Sequence, residues 1–326
     1  MPAVALPTPV PIRPFDTPDP FTSIGTPVNV AATLAPFRHG RIDPTTVLRA
    51  LGRGRTASGT FLHATHTPDG PGTVRLRWAG GRHDVDSYGS GGDWLAARIP
   101  RMLGHGDTGL AGVDMAGWSP TVVAALHASS DVAIGAGSNL YHELLPTIVE
   151  QRITGLEAHR QWRRLCAELG EPAPGPFTGL LLPPAPERLV GRPAWWFHPL
   201  GIERKRATAL VEIARHPARL WEWADLPPHV AAGKLRLLPG VGAWTVGTVL
   251  GTAMGDPDAV AVGDYHLKNV VGYALAGEAR ATDERMLELL TPYAGQRGRV
   301  IRALLRHGHR APKFGPRQRI LPMSRW

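Results

Sequence analysis

The 326-residue chain contains a single cysteine, Cys166, so it closes no internal disulfide and supplies no four-thiolate zinc or iron–sulfur site. Lysine is scarce as well: of 36 basic residues, 32 are arginine. No apolar run approaches the roughly 18–20 residues that a membrane helix needs, and the first residues lack a basic stretch followed by an apolar signal core. A cytoplasmic protein with no membrane partner is expected. Charged residues make up 19% and hydrophobic residues 43%, which fits neither a coiled coil nor a wholly unfolded chain.

Glycine (38) and proline (32) are abundant, and they promise many turns and short elements. The length suits two or three domains. A net charge of +9 and a sequence pI near 10.4 suggest a polyanionic partner, because arginine makes forked contacts to phosphate. Genome composition is a second explanation for the arginine excess, so its distribution is more informative. Residues 1–130 carry 11 basic and 9 acidic side chains, residues 131–326 carry 25 and 18, and residues 297–326 carry nine basic and no acidic ones. That last stretch reads either as a solvated tail or as a phosphate-contacting surface.

Seven prolines within residues 1–20 mark a Pro-rich leader, disordered through residue 25. Residues 26–131 read as a small α/β domain. Within it, residues 61–67 and 73–79 form two strands around the turn Pro68-Asp69-Gly70-Pro71-Gly72. Val74, Leu76 and Trp78 face a core and Arg75 and Arg77 face water. Helices are predicted at residues 44–52 and 92–103. Past residue 137 the period changes to that of helices: one apolar face from Leu140 to Leu169 with Pro146 capping or kinking its start, then segments at 204–215, 217–223, 229–237, 244–254, 267–275, 283–290 and 299–306. The fold class is therefore α+β: an antiparallel sheet with helices, then an all-helical body over 132–316 and a basic tail over 317–326.

The stretch Leu238-Pro239-Gly240-Val241-Gly242-Ala243-Trp244-Thr245 lies between two helical segments. Pro239 ends the first, Gly240 and Gly242 permit left-handed backbone and close approach, and the free amides opening the next helix make an anion site from main chain. Such a hairpin suits a DNA phosphate, although Pro-Gly turns between helices also occur as plain connections. Twenty residues after Trp244 comes Asp264, following the apolar run Val260-Ala261-Val262-Gly263. In isolation it reads as a helix N-cap.

With both features in hand, the sequence resembles the helix-hairpin-helix DNA glycosylase superfamily, and within it the bacterial 3-methyladenine DNA glycosylase II type. The resemblance spans residues 26–316 and is strongest over 235–268. Members pair an LPGVG-type hairpin with an essential aspartate about twenty residues on, the place of Asp264. Residues 144–154 with Gln151 resemble the helix that opens the glycosylase body, and Leu200-Gly201-Ile202-Glu203-Arg204-Lys205-Arg206-Ala207 resembles the segment preceding the hairpin. Gly240, Val241, Gly242 and Thr245 would contact DNA, Asp264 would be catalytic, and Trp244 and Tyr265 would line the base pocket, although either could equally be core.

The resemblance implies a monomeric, nucleoid-associated enzyme of base excision repair that hydrolyses the N-glycosidic bond of alkylated purines, such as 3-methyladenine and 7-methylguanine, in duplex DNA. Trp244 occupies the place of the lysine that bifunctional relatives use as a nucleophile, so no lyase activity is expected. No cofactor is implied beyond a monovalent cation on the hairpin carbonyls. The chain departs from relatives at Gly263, where some carry a second acid, and in residues 303–308, which lack a tryptophan. Trp195-Trp196 could compensate or could pack in the core. The loop Gly135-Ala136-Gly137-Ser138 stands where relatives insert a wedge but carries no bulky apolar residue. The pair His63/His66 has no third ligand nearby and does not read as a zinc site, and Gly89 to Gly92 reads as a turn. Two alternatives remain: a non-catalytic helix-hairpin-helix DNA-binding protein, or a glycosylase for another lesion such as hypoxanthine.

Overall fold

A computed structural model describes residues 29–312; the Pro-rich leader and the basic tail lie outside them. A four-stranded antiparallel sheet in the order β1-β2-β3-β4 is formed by Thr46–Leu51, Ser58–Thr67, Gly70–Ala79 and Arg82–Tyr88. Helices α1 (Val30–Leu34), α2 (Gly92–Ala96) and α3 (Ile99–Met102) cover one face, where Phe61, Val74, Leu76 and Trp78 meet Leu34, Leu95 and Ile99. On the other face Leu62 and Ala64 pack against Ala173, Phe177, Leu180 and Leu182 of the proline-rich connector.

The helical part comprises α4 (Pro120–His127), α5 (Leu140–Glu150), α6 (Gly155–Leu169), α7 (Pro186–Leu189), α8 (Arg204–Ala214), α9 (Pro217–Trp223) and α10 (Pro228–Leu235). It continues through α11 (Ala243–Ala253), α12 (Leu267–Ala276), α13 (Asp283–Leu289) and α14 (Arg297–Arg306). Helix α5 is buried on nearly every side and runs through Pro146. It sits at the centre of the main core with Trp162, Leu210 and Val249. Helix α4 packs with α12, α13 and α14 in a separate cluster through Val122, Leu126, Val271, Met286 and Leu304.

Three sequence expectations are corrected, and one strand without a sequence signal is added. Residues 44–52, expected helical, instead hold edge strand β1, whose Thr46 pairs with His63 and Leu48 with Phe61 of β2. Pairing with an existing strand overrides a weak local helical preference. Strand β4 carried no apolar alternation because its register sets Asp86 opposite Arg75 and Asp84 opposite Arg77, so ion pairs replace hydrophobic pairs and the two arginines are partnered. The helix expected over 92–103 is broken in two ahead of Pro100. The long face from Leu140 is interrupted at Gln151 and Arg152, the latter in left-handed backbone (φ 59°).

Candidate active site

Helix α10 ends in a turn in which the Leu238 N–H donates to the Leu235 carbonyl and the Val241 N–H to the Leu238 carbonyl. Gly240 sits at φ 84°, and a Cβ there would lie 2.6 Å from that of Ala209 on α8, so both backbone and packing demand glycine. Val241 is buried and anchors the turn, while Gly242 and Ala243 are exposed. No side chain caps α11, so its opening amides face outward as donors. Gln151, at the end of α5, donates its side-chain amide to the Gly240 carbonyl and to Thr245 Oγ1, both at 2.9 Å. Thr245 is 2% exposed. It therefore holds the hairpin from within rather than meeting a ligand.

The loop carrying Asp264 lies directly on α11. A Cβ at Gly247 would come within 2.0 Å of the Val260 carbonyl oxygen, so only glycine permits this approach. Asp264 Oδ1 accepts the N–H groups of His266 (2.8 Å) and Leu267 (2.9 Å) and so caps the start of α12. Its other oxygen, Oδ2, accepts the indole N–H of Trp244 at 3.3 Å. The cap reading holds for one oxygen of this half-buried carboxylate: Oδ1 is spent on the fold, and Oδ2 keeps accepting capacity beside an aromatic ring. Gly263 takes φ 96°, a conformation that an acidic side chain adopts only with strain, and its N–H donates to Asp283 Oδ1 at 3.0 Å. Lys268, the lysine four residues beyond Asp264, donates to Asp283 Oδ2 at 3.1 Å and is thereby occupied.

Tyr265 is not drawn into a pocket. It is 77% exposed, with its ring edge-on to His266. The loop from Gly135 to Ser138 is largely buried, its Gly137 and Ser138 N–H groups donating to the Thr252 and Ala253 carbonyls of α11, and so cannot wedge a duplex. Trp195 is 74% exposed and Trp196 lies half-buried under Arg192. Of the nine C-terminal basic residues, Lys313, Arg317, Arg319 and Arg325 lie outside the described residues. Arg297 and Arg299 are taken up by Asp258 and Asp107. Among the described residues no group of three His, Cys, Asp or Glu could hold a metal ion, and His63 and His66 bond Thr46 and the Pro183 carbonyl.

A cavity of about 1480 Å³ lies between α11, α14 and the loops before and after α4, and neither Trp244 nor Asp264 lines it. Its walls include Thr248, Ala261 and Leu267. Each is bonded to the pair: Thr248 Oγ1 donates to the Trp244 carbonyl at 2.8 Å, the Ala261 carbonyl accepts the Asp264 N–H at 3.1 Å, and Leu267 donates to Asp264. No Phe, Tyr or Trp side chain lines it.

Three supporting residues have no role assigned from sequence. Gln151 and Arg206 stand only within resembling segments, and Asp283 gives no local signal. Arg206 is in fact 1% exposed and donates to the Val149 carbonyl, Gln161 and the Gly201 carbonyl, tying the end of α5 to α6 and α8.

No protein-family model matches the sequence, and no curated protein sequence matches it. Solved structures do match. A 3-methyladenine DNA glycosylase from Archaeoglobus fulgidus superposes with a TM-score of 0.67 at 16% identity, over 87% of this chain and 96% of that one. An 8-oxoguanine glycosylase/lyase from Clostridium acetobutylicum, in complex with DNA, superposes with a TM-score of 0.55 at 11% identity, over 76% of this chain and 84% of that one. The chain has the fold of the helix-hairpin-helix DNA glycosylases.

Proposed function

We propose that the protein is a monofunctional DNA glycosylase that hydrolyses the N-glycosidic bond of alkylated purines, of the 3-methyladenine and 7-methylguanine type, in double-stranded DNA. The observation that carries this reading is the approach of the Asp264 carboxylate to Trp244 at the start of the helix that follows a hairpin with outward amides. The hairpin would grip the backbone without reading sequence, and the damaged nucleotide would turn out of the stack toward Asp264 and Trp244.

Breaking the bond between C1′ and the base nitrogen leaves positive charge on the sugar. The electron pair goes to the base, water supplies the new bond to C1′, and the water proton ends on the departing base or on the carboxylate. Asp264 would stabilise the sugar cation through Oδ2 and orient the water, in a site where α11 and α12 hold the carboxylate in advance. A cationic alkylated purine leaves as a neutral base and needs no acid. The Trp244 face would favour such a base by cation–π attraction.

Trp244 stands where a lyase would need its nucleophilic amine, and Lys268 is bound to Asp283. Strand scission should therefore be absent. The protein would act as a monomer, with no cofactor; a monovalent cation on the hairpin carbonyls would serve duplex binding alone, which exchange of potassium for tetramethylammonium would report. Duplex DNA carrying 7-methylguanine, incubated with the protein, should yield free base and an abasic site that stays uncut until alkali is added. Borohydride should trap no covalent adduct. Duplex binding with no release of any damaged base would instead establish the non-catalytic binder.

A further inference from the structure

We propose that Asp283 is a positioning residue for the reaction: by holding Lys268 it keeps that ammonium off Asp264, so that the carboxylate stays free to face the sugar. This rests on the glycosylase reading above and adds to it a control on the charge of the same site.

Lys268 stands four residues beyond Asp264, the spacing at which an acid and a base on consecutive helical turns meet. Oδ1 of Asp264 is taken up by the His266 and Leu267 N–H groups, whereas Oδ2 accepts the Trp244 indole N–H at 3.3 Å and has room for a further donor. An ammonium on a flexible stem one turn away is a ready partner for that oxygen. In the structure it turns elsewhere. Lys268 Nζ donates at 3.1 Å to Oδ2 of Asp283, fifteen positions further on at the first residue of α13. A lysine in the first turn of α12 also lies against the positive end of the helix dipole, so helix stability does not favour it there.

The two oxygens of Asp283 thus secure the chain on both sides of Asp264: Oδ1 accepts the N–H of Gly263, the residue before it, at 3.0 Å, and Oδ2 accepts Lys268. The side chains of Lys268 and Asp283 are 27% and 23% exposed, so solvent screens their attraction only in part. The reaction makes this pairing matter. A sugar cation is stabilised by an unquenched anion, and an ammonium seated on Asp264 Oδ2 would neutralise that anion and repel the charge developing on the sugar. With Asp283 beside it, the lysine charge is offset before it reaches the site. The two functions of Asp283 can be separated: asparagine still offers an oxygen to the Gly263 N–H, but a neutral amide competes poorly with a carboxylate for an ammonium, so Lys268 would turn to Asp264.

Single-turnover release of 7-methylguanine from duplex DNA should be measured at saturating protein for the wild type, Asp283→Asn, Lys268→Met and the double variant, with duplex affinity measured alongside. Asp283→Asn should slow release at least about 10-fold, yet less than the ~10²- to 10³-fold expected when a preorganised charge is lost outright, with duplex affinity unchanged. Adding Lys268→Met to Asp283→Asn should restore release to within about 3-fold of the wild type, and Lys268→Met alone should stay within the same range, so that the two substitutions are strongly non-additive. A residue that merely braced the fold would give the opposite pattern, because removing the second partner cannot repair a brace. Release as slow in the double variant as in Asp283→Asn, the result also expected if Asp283→Asn unfolds, would overturn the proposal. So would a loss in Lys268→Met alone, or full activity in Asp283→Asn. Wild-type release without the rescue removes this inference and leaves the glycosylase intact; no release of any damaged base by the wild type removes both.

Discussion

Two regions of this molecule gather polar groups, and they treat them in opposite ways. At the junction of sheet and helices, Asp43 is saturated: Oδ1 accepts the Thr45 N–H and hydroxyl and the Trp162 indole N–H, and Oδ2 accepts the His39 N–H. His63 and His142 lie buried with ring centroids 4.6 Å apart, each bonded through Nδ1 to a threonine at 2.9 Å. His39 reaches Glu143 and Glu150 of α5 at 3.4 Å each. Around Asp264 the groups are half-exposed and keep capacity to spare. A buried carboxylate such as Asp43, with its partners supplied by the chain, belongs to a joint; a carboxylate and a row of amides left partly unmet fit the site proposed above. The wealth of histidine at the joint invites a metal reading, but among the described residues no group of three His, Cys, Asp or Glu could hold a metal ion.

Substitution should break this contrast most sharply at Asp264. Asparagine caps a helix as well as aspartate does, so Asp264→Asn should leave the melting temperature nearly unchanged while base release falls at least about 10²- to 10³-fold, and duplex binding persists. A variant that unfolds would show the cap to be the main role.

Next in size is Gly240→Ala. Left-handed backbone and the clash with Ala209 should cost about 1–3 kcal/mol in denaturant unfolding and weaken duplex binding by distorting the amide row.

The joint should respond to pH. Burial pulls the pKa of His63 down to about 4, with the charge on His39 adding to it, and burial likewise holds His142 well below the ordinary value. The unfolded chain takes up protons near pH 6.5 while the folded one does not, so stability is full above that pH and falls between about 6.5 and 4, with His63 contributing on the order of 3 kcal/mol. His39 has the opposite sign. Burial lowers its pKa, but Glu143 and Glu150 together hold it well above 6.5, so its contribution is full below that value and is lost as pH rises through the raised one. Thermal melts from pH 8 to 4 should show His63→Gln flattening the acid limb, whereas His39→Gln should remove the loss of stability that sets in above pH 6.5.

The smallest effect is expected at Gln151, which links the buried helix to the hairpin. Gln151→Ala should cost about 1 kcal/mol and reduce duplex affinity a few-fold, without altering the pH profile of stability.

Much of the site was legible. The hairpin, the left-handed need at Gly240 and the spacing to Asp264 are local, and residues local in sequence are local in space across one turn and one helix. The pairing of Trp244 with Asp264 was expected only from resemblance; what brings them together is the bare approach of the loop to Gly247, a contact between segments with no shared periodicity. Tyr265, placed in the pocket by the resemblance, faces solvent because a helix start turns successive side chains about 100° apart. Strands β2 and β3 announced themselves by alternation. Strand β1 imitated a helix and β4 imitated a loop, since an edge strand and an ion-paired strand owe their state to the neighbour and not to their own pattern.

The sequence by itself determined the class of fold, the turn that presents backbone amides, and the exclusion of disulfide and cluster chemistry, because these depend on residue type and short spacing. Tertiary structure alone decided which charges are spent and which are free. It buried Arg206 under three acceptors, paired Arg299 with Asp107, and left Arg302 facing a cavity, though all three read alike as arginines on helices. The reason is physical: a charge is defined by its partners and its solvent, and both are supplied by segments that lie far away in the chain.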